Sequence, residues 1–331
     1  MLSETNHVRP EPGCAKNSRQ LWAELPNAGV LLCLLAAWGV LFHFLGNSTL
    51  GYIHSPSIFR WWLESLQGIQ DQEHAYVMPI VTLGLLWWKR DELAALPKRV
   101  WWPALLLFLL AVALHLFGYM IQQTRLSVVA YFGGLYALSG LVWGAAWLRA
   151  TVFPFGLLLF AVPLGAAADP VTVPLRLLAT KTTAWLCQVA LGINVQHTGN
   201  LLYSPTGAYD YEVAGPCSGI KSLTTIMVFA VIYGYLNFNS LWRRLALIAL
   251  AAPLAVLANV SRLTLIIITA ETYGQQAGLR VHDSQWLSLL PYVPAFLGVG
   301  LAARWLREGK KPGVNSAMAE PLLIAGAEQK S

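Results

Sequence analysis

Long apolar runs separated by short polar segments fill most of the chain. A membrane-spanning helix needs about 20 mostly apolar residues, within a range of roughly 17 to 25. By this measure the pattern predicts about eight spanning helices, two of them short, and tryptophans mark many of their ends as interfacial aromatic residues do. The predicted segments are residues 28–45, 74–88, 101–121, 126–148, 152–167, 219–236, 245–270 and 286–305. The pattern therefore predicts an all-α, polytopic integral membrane protein.

Composition and charge agree with insertion in a lipid bilayer. Of the 331 residues, 56% are hydrophobic and 11% are charged, whereas soluble domains contain about 25% charged residues. The net charge of +6 comes without a basic stripe of interleaved aromatics, so no nucleic-acid partner is predicted. If the N-terminus is cytoplasmic, fifteen of the 22 Lys and Arg residues lie on the cytoplasmic side, as the positive-inside bias requires, and both termini are inside. The other seven are Arg60, Arg125, Arg176, Lys181, Lys221, Arg262 and Arg280.

The same pattern divides the chain into a membrane domain and two tails. We expect a cytoplasmic N-terminal tail over residues 1–27, a membrane domain over 28–308 and a disordered cytoplasmic tail over 309–331, which is polar and rich in small residues. No small-x-small cleavage pattern follows the first apolar run, so this run is expected to be a retained anchor.

A long loop, residues 165–216, joins the fifth and sixth predicted helices on the outer side. Residues 171–191 place apolar side chains at helical spacing with Thr and Lys between them, which predicts a helix lying in the membrane interface. In residues 194–213, Asn, Gly, Pro and Tyr alternate with Val and Leu, which predicts short extended segments. The loop is therefore expected to form a folded extracytoplasmic cap over the outer ends of the helices.

Three reactive side chains fall at one predicted depth. An α-helix rises about 1.5 Å per residue. On this scale Cys217 lies ~30 Å above the cytoplasmic end of its helix, which is one hydrocarbon thickness. Arg262 lies ~27 Å above Arg244, and His282 lies ~33 Å above Arg304. All three are therefore expected near the outer interface.

These residue types suit acyl transfer. A nearby cation or helix N-terminus lowers the pKa of a thiol, and Cys217 has Lys221, Arg262 and a helix start as predicted neighbours. His282 is suited to proton transfer at neutral pH, and Arg262 to binding the oxyanion of a tetrahedral intermediate. Asn259 shares a helical face with Arg262 and can hydrogen-bond what Arg262 holds. The pattern calls for no cofactor and no metal.

Each of the three residues also has a purely structural interpretation. Cys217 can form a disulfide with Cys187 in an oxidising compartment. Arg262 can be a residue at a helix end that extends its charge to water. His282, followed by Asp283, can cap the final helix. The coincidence of the three at one depth favours a site.

Several segments, in order along the chain, resemble the motifs of the exosortase and archaeosortase family of polytopic transpeptidases. Residues 212–220 resemble its active-site cysteine motif, residues 258–262 its arginine motif and residues 281–283 its histidine. Residues 73–79, with His74, and the basic end at 86–90 resemble the family's entry to its second helix. Residues 192–195 and 199–200 resemble its outer-loop strand region.

The resemblance implies a bacterial inner-membrane enzyme whose site faces the periplasm or the cell exterior. It implies cleavage of C-terminal sorting signals of the PEP-CTERM type, which carry a Pro-Glu-Pro-like motif, a transmembrane helix and a basic end, from exported proteins. Cys217 would form a thioester acyl-enzyme, His282 would transfer protons and Arg262 would stabilise the oxyanion. The matching motifs make Ser218, Gly219, Asn259 and His74 supporting or substrate-binding candidates. The acceptor, whether water, an amine, a lipid or a glycan, is left open.

Two other classes of protein remain as alternatives. A membrane glycan or lipid transferase of exopolysaccharide assembly would need an acidic pair or a His and Asp acting on a hydroxyl, and Asp169, Asp210 and Asp283 form no tight cluster in the sequence. A transporter or scaffold would be expected to carry ionisable residues near the midplane and repeated halves, and neither is evident.

Overall fold

The structure is a computed structural model that describes residues 26–48, 55–68, 74–164, 168–212, 220–284 and 290–306. For residues 172, 220–222, 282, 283 and 291 it describes only the backbone. The chain divides into two compact units, Met1–Asp169 and Pro170–Ser331.

The regular secondary structure in the described part of the first unit is entirely helical, because its Leu- and Ala-rich runs satisfy their backbone hydrogen bonds internally. Its helices are α1 Ala28–Leu45, α2 Ile58–Gly68, α3 His74–Trp88, α4 Arg90–Ala95, α5 Ala104–Met120, α6 Thr124–Trp143 and α7 Ala145–Leu157, the last continued by a 3₁₀ turn at Leu158–Ala161.

Helix α6 is the centre of this unit. It packs against α5, α1 and α7, and α3 packs against α7 and the 3₁₀ turn. The Trp38 indole of α1 is buried and its Nε1 donates a hydrogen bond of 3.0 Å to the carbonyl of Tyr131 in α6. The buried His115 of α5 lies 3.0 Å from the Ser127 hydroxyl of α6, from ring Nδ1 to Oγ. Both polar side chains therefore pair with a group of the neighbouring helix α6.

The prediction of one continuous helix over residues 126–148 is wrong at its end. The helix stops at Trp143 because Gly144 adopts a positive φ of 96°, and a Cβ there would lie 2.7 Å from the carbonyl oxygen of Arg99. Helix α7 then begins at Ala145, seven residues before the predicted start of the fifth segment, 152–167. The end of that segment, 165–167, lies outside the described residues.

The second unit combines helices with a small sheet. Its elements are α8 Asp169–Leu191, which starts at the boundary, β1 Gln196–Thr198, β2 Leu201–Tyr203, β3 Asp210–Glu212, α9 Ile220–Asn237, α10 Leu241–Tyr273, α11 Gln275–Asp283, a 3₁₀ turn at Leu290–Tyr292 and α12 Val293–Trp305.

The predicted helix and extended segments of the long loop are confirmed. Helix α8 covers the helical prediction, and the three strands form an antiparallel sheet in the order β1-β2-β3. Leu202, at the middle of the central strand, pairs with His197 and Tyr211. We call the segment from α8 to β3 the cap.

Two cores lie along α10. The helix core packs α10 against α9 and α12, and the cap core packs the cap against the later part of α10. Buried members of the helix core are Ile226, Ala230, Phe238, Leu247, Ala251, Ala255, Ala258, Tyr292, Ala295, Val299 and Ala303. Buried members of the cap core are Ala179, Ala184, Cys187, Val195, Leu202, Tyr209, Val260, Leu263, Ile267 and Ala270.

The described apolar helices lie over the predicted membrane segments in the same order along the chain. Three of the described helices, α1, α6 and α10, are long and apolar enough to cross a membrane, and five shorter apolar helices correspond to the other predicted segments. Helix α10 has 33 residues, more than the roughly 17 to 25 that a membrane-spanning helix needs. The last segment, predicted over 286–305, has its helix only from Val293, and residues 285–289 are not among those described. Helices α2, α4 and α11 were not predicted.

Candidate active site

Arg262 is buried at the junction of the two cores. Ala258 belongs to the helix core, and Val260 and Leu263 belong to the cap core. The side chain of Arg262 is 6% exposed and that of Asn259, one turn earlier, is 1% exposed. An arginine that extends its charge from a helix end keeps its guanidinium in water. That interpretation of Arg262 is therefore wrong.

Helix α11 brings the backbone of His282 back towards the level of Arg262. Gly274, at φ 85°, ends α10, and α11 returns alongside it. At Gly278 the two helices approach so closely that a Cβ would lie 3.1 Å from the carbonyl oxygen of Ile266. Arg262 lies 11 residues before the end of α10, or ~16 Å, and His282 lies eight residues after Gly274, or ~12 Å. The two backbones therefore differ in height by about one helical turn.

His282 does not cap the final helix. His282 and Asp283 are the last two residues of α11, whereas α12 begins at Val293 after a 3₁₀ turn. Of the His282 side chain the structure gives no description.

The cysteine motif lies between two described elements. Cys217, Ser218 and Gly219 are outside the described residues, which resume at Ile220, the first residue of α9. Strand β3 ends at Glu212, five residues before Cys217. The motif therefore connects the cap to a helix that packs on α10.

Cys187 is a buried free thiol in the cap core, which does not support the disulfide interpretation. Burial raises the pKa of the Cys187 thiol to about 11, and a hydrogen bond with Thr264 opposes this shift only in part. Since the thiolate is the nucleophilic form, Cys187 is poorly suited to attack a carbonyl at neutral pH.

The family model described as "Transmembrane exosortase (Exosortase_EpsH)" matches residues 61–303, about three quarters of the chain. This chain belongs to the transmembrane exosortase family. No curated protein and no solved structure matches it. The matched region begins in α2, ends in α12 and includes Cys217, Arg262 and His282. At the family level the protein is therefore a membrane transpeptidase that acts on proteins with sorting signals.

Two tyrosines of the exosortase cap were missed by the sequence reasoning. The rings of Tyr209 and Tyr211 stack with centroids 5.7 Å apart, and Tyr209 is fully buried. Burial, followed by the charge of Glu271, raises the pKa of the Tyr209 phenol, and burial and Asp210 raise that of Tyr211. Both phenols therefore stay protonated at neutral pH. The alternation of Tyr with acidic residues over 209–212, directly before the cysteine motif, was the available signal.

His74 is the first residue of α3, in the first unit, and is half-buried. Its supporting role stays a prediction. Within the described part of the exosortase chain, no group of three or more His, Cys, Asp or Glu side chains is arranged to hold a metal.

The first unit also holds a large apolar cavity, of about 1080 Å³. Leu, Ile, Phe and Trp side chains from α1, α2, α3, α6 and α7 dominate its lining, and Arg90 is its charged member. The lining includes no Cys, His, Asp or Glu. This cavity therefore suits an apolar ligand and not acid–base or nucleophilic chemistry.

Proposed function

We propose that this exosortase is a membrane-embedded cysteine transpeptidase that cleaves C-terminal sorting signals of the PEP-CTERM type. The Cys217 thiolate attacks the scissile carbonyl carbon, and the guanidinium of Arg262 stabilises the resulting oxyanion. The carbon–nitrogen bond then breaks, His282 gives a proton to the leaving amine, and a thioester remains on Cys217. An acceptor gives its proton to His282 as it attacks the thioester, the carbon–sulfur bond breaks, and Cys217 leaves as the thiolate.

The observation that carries this proposal is the burial of Arg262 at the junction of the two cores. Placing an arginine in an apolar helix costs at least roughly 2.5 to 3.5 kcal/mol on insertion scales. A positive group already held in a place poor in water costs no reorganisation when negative charge develops on the substrate. An oxyanion site makes use of such a charge, whereas a structural role does not require it.

The return of α11 beside α10 is the second support. It carries the His282 backbone to within about one turn of the height of Arg262, although the two residues are 20 positions apart in sequence. The motif with Cys217 directly precedes α9, which packs on the same helix α10.

The proposed setting follows from the charge distribution. The protein would lie in a bacterial inner membrane with both termini in the cytoplasm and the cap on the periplasmic or exterior side. Its partners would be exported proteins whose sorting signal ends in a transmembrane helix and a basic segment. Family membership does not favour the glycan or lipid transferase alternative.

Tail cleavage tests the proposal directly. The exosortase is co-expressed with an exported protein that carries a Pro-Glu-Pro-type tail, and the product is followed by mass. Cys217→Ala and His282→Ala should abolish cleavage, and Arg262→Ala should slow it by about 10²- to 10³-fold, the usual effect of losing an oxyanion donor. Arg304→Lys, an exposed position at the far end of α12, is the matched control and should cleave normally.

Cleavage by Cys217→Ala at equal membrane levels would overturn the cysteine mechanism. The mass added to the new C-terminus identifies the acceptor as water, an amine, a lipid or a glycan.

A further inference from the structure

Strand β3 is tied to the first turn of α11 by three hydrogen bonds. The Tyr211 hydroxyl donates to the carbonyl of Gln275 over 2.6 Å. The side-chain Nε2 of Gln275 donates to Oδ1 of Asp210 over 2.9 Å and to the carbonyl oxygen of Asp210 over 3.3 Å. The contact joins residues 64 and 65 positions apart in the sequence.

Each of the two joined segments continues to a residue of the proposed reaction. Strand β3 is followed by Cys217, which would carry the acyl group, and α11 contains His282, which would transfer protons. Asp210 and Tyr211 lie six to seven residues before Cys217, and Gln275 lies seven residues before His282 in one continuous helix. Because a helix is rigid over two turns, fixing Gln275 also fixes the backbone at His282, ~10 Å further on.

Burial decides which of the three bonds matters most. The bond from Tyr211 is partly buried, whereas both bonds from the Gln275 side chain are exposed to solvent. Water competes with exposed hydrogen bonds and leaves them weak, so the Tyr211 hydroxyl makes the dominant contact. Tyr211 also lies over Gly278, where a Cβ would collide with its hydroxyl, so the phenol sits against the face of α11 that packs on α10.

We propose that Tyr211 and Gln275 are positioning residues that hold the chain entering the cysteine motif at a fixed distance from the helix carrying His282. The inference rests on the proposed function for its catalytic meaning, since only then do Cys217 and His282 act on one substrate bond. We call the Tyr211–Gln275 contact the latch.

The latch is tested by kinetics of the full-length protein. Tyr211→Phe removes the hydroxyl and keeps the ring. Since a misplacement of about 1 Å can cost 10²-fold in rate, kcat for tail cleavage should fall by about 10- to 100-fold with KM nearly unchanged. Tyr203→Phe removes the same group from a half-buried position in the neighbouring strand β2 and is the matched control, with normal kcat expected.

A cross-linking measurement tests the latch without any activity. In a chain whose Cys14, Cys33 and Cys187 are replaced by Ala, His282→Cys is introduced and the linkage of Cys217 to position 282 by a short bifunctional thiol reagent is timed by mass spectrometry. Tyr211→Phe should slow this linkage several-fold, whereas Tyr203→Phe should leave it unchanged.

The outcomes separate the latch from the proposed function. Slower linkage in Tyr211→Phe alone, with no tail cleaved even by the unsubstituted protein, would support the latch and reject the function. Unchanged linkage and unchanged kcat in Tyr211→Phe would overturn the latch while the function stands. Equal losses in Tyr211→Phe and Tyr203→Phe would indicate general weakening of the cap and would also overturn it.

Discussion

Arg262 carries a guanidinium into a helix whose other buried residues are mostly Leu, Ala, Ile and Val. Its height above Arg244 along the helix was predictable, because both residues lie in one continuous helix and the rise per residue is constant. Its burial was not, because burial depends on the cap, which comes from residues 50 to 90 positions away. The hydrogen bond from Tyr211 to Gln275 could not be predicted either, because a contact between a side chain and a carbonyl 64 positions away produces no periodic pattern in the sequence.

Cys187 gives a prediction at this scale that depends on pH. With the pKa of its buried thiol raised to about 11, the thiolate fraction at pH 8 is on the order of a thousandth. Alkylation in the folded protein should therefore be slow at pH 8 and rise about tenfold per pH unit up to about 11. Peptide mass spectrometry after timed alkylation provides the measurement, and Cys187→Ala should keep tail cleavage.

An exposed thiol introduced as Thr206→Cys in the cap is the control, because its alkylation should level off near its ordinary pKa of about 8.5. Fast alkylation of Cys187 at pH 8 would contradict its burial.

Long apolar helices were predictable, whereas the short helices α2, α4 and α11 were not. Helices α1 and α3 have the predicted bounds, because an apolar run of that length has few other ways to satisfy its backbone in a bilayer. Helix α11 has nine residues of mixed polarity, too few for a periodic pattern to stand out. The break at Gly144 could not be predicted from the presence of a glycine, because Gly133, Gly134 and Gly140 lie within the regular helix α6. Which glycine adopts a positive φ is decided by tertiary contacts.

The close packing of α11 on α10 leads to a prediction for Gly278. In Gly278→Ala the new methyl group would lie 3.1 Å from Ile266 O and Ala270 Cβ and would collide with the Tyr211 hydroxyl. Overpacking of this kind costs about 1–3 kcal/mol, so the midpoint of thermal unfolding in detergent should fall and tail cleavage should weaken.

Gly300→Ala in α12 is the matched control, since a Cβ at that position meets nothing within 4 Å. It should be neutral or stabilise the protein by about 0.4–1 kcal/mol. Identical behaviour of the two variants would mean that α11 does not pack on α10 through Gly278.

At the scale of the whole molecule, charge gives a prediction of orientation. Thr206, exposed in the cap, and Asn239, exposed between α9 and α10, are expected on opposite sides of the membrane. In a chain whose four native cysteines are replaced, a membrane-impermeant maleimide added to intact spheroplasts should label Thr206→Cys at once. It should label Asn239→Cys only after permeabilisation, and the reverse pattern would invert the topology.

Helix α10 is about 50 Å long, some 20 Å more than the hydrocarbon layer it would cross. Under the proposed function, α10 sets the height of the active site above the cytoplasmic surface of the membrane. Arg243 and Arg244 fix its base, and Arg262 then stands at a set height of ~27 Å above them. A substrate anchored by the basic end of its own helix is measured against the same scale. The enzyme would therefore require the correct distance from that basic end to the scissile bond as well as the correct motif. A correct motif at the wrong height would not be cleaved.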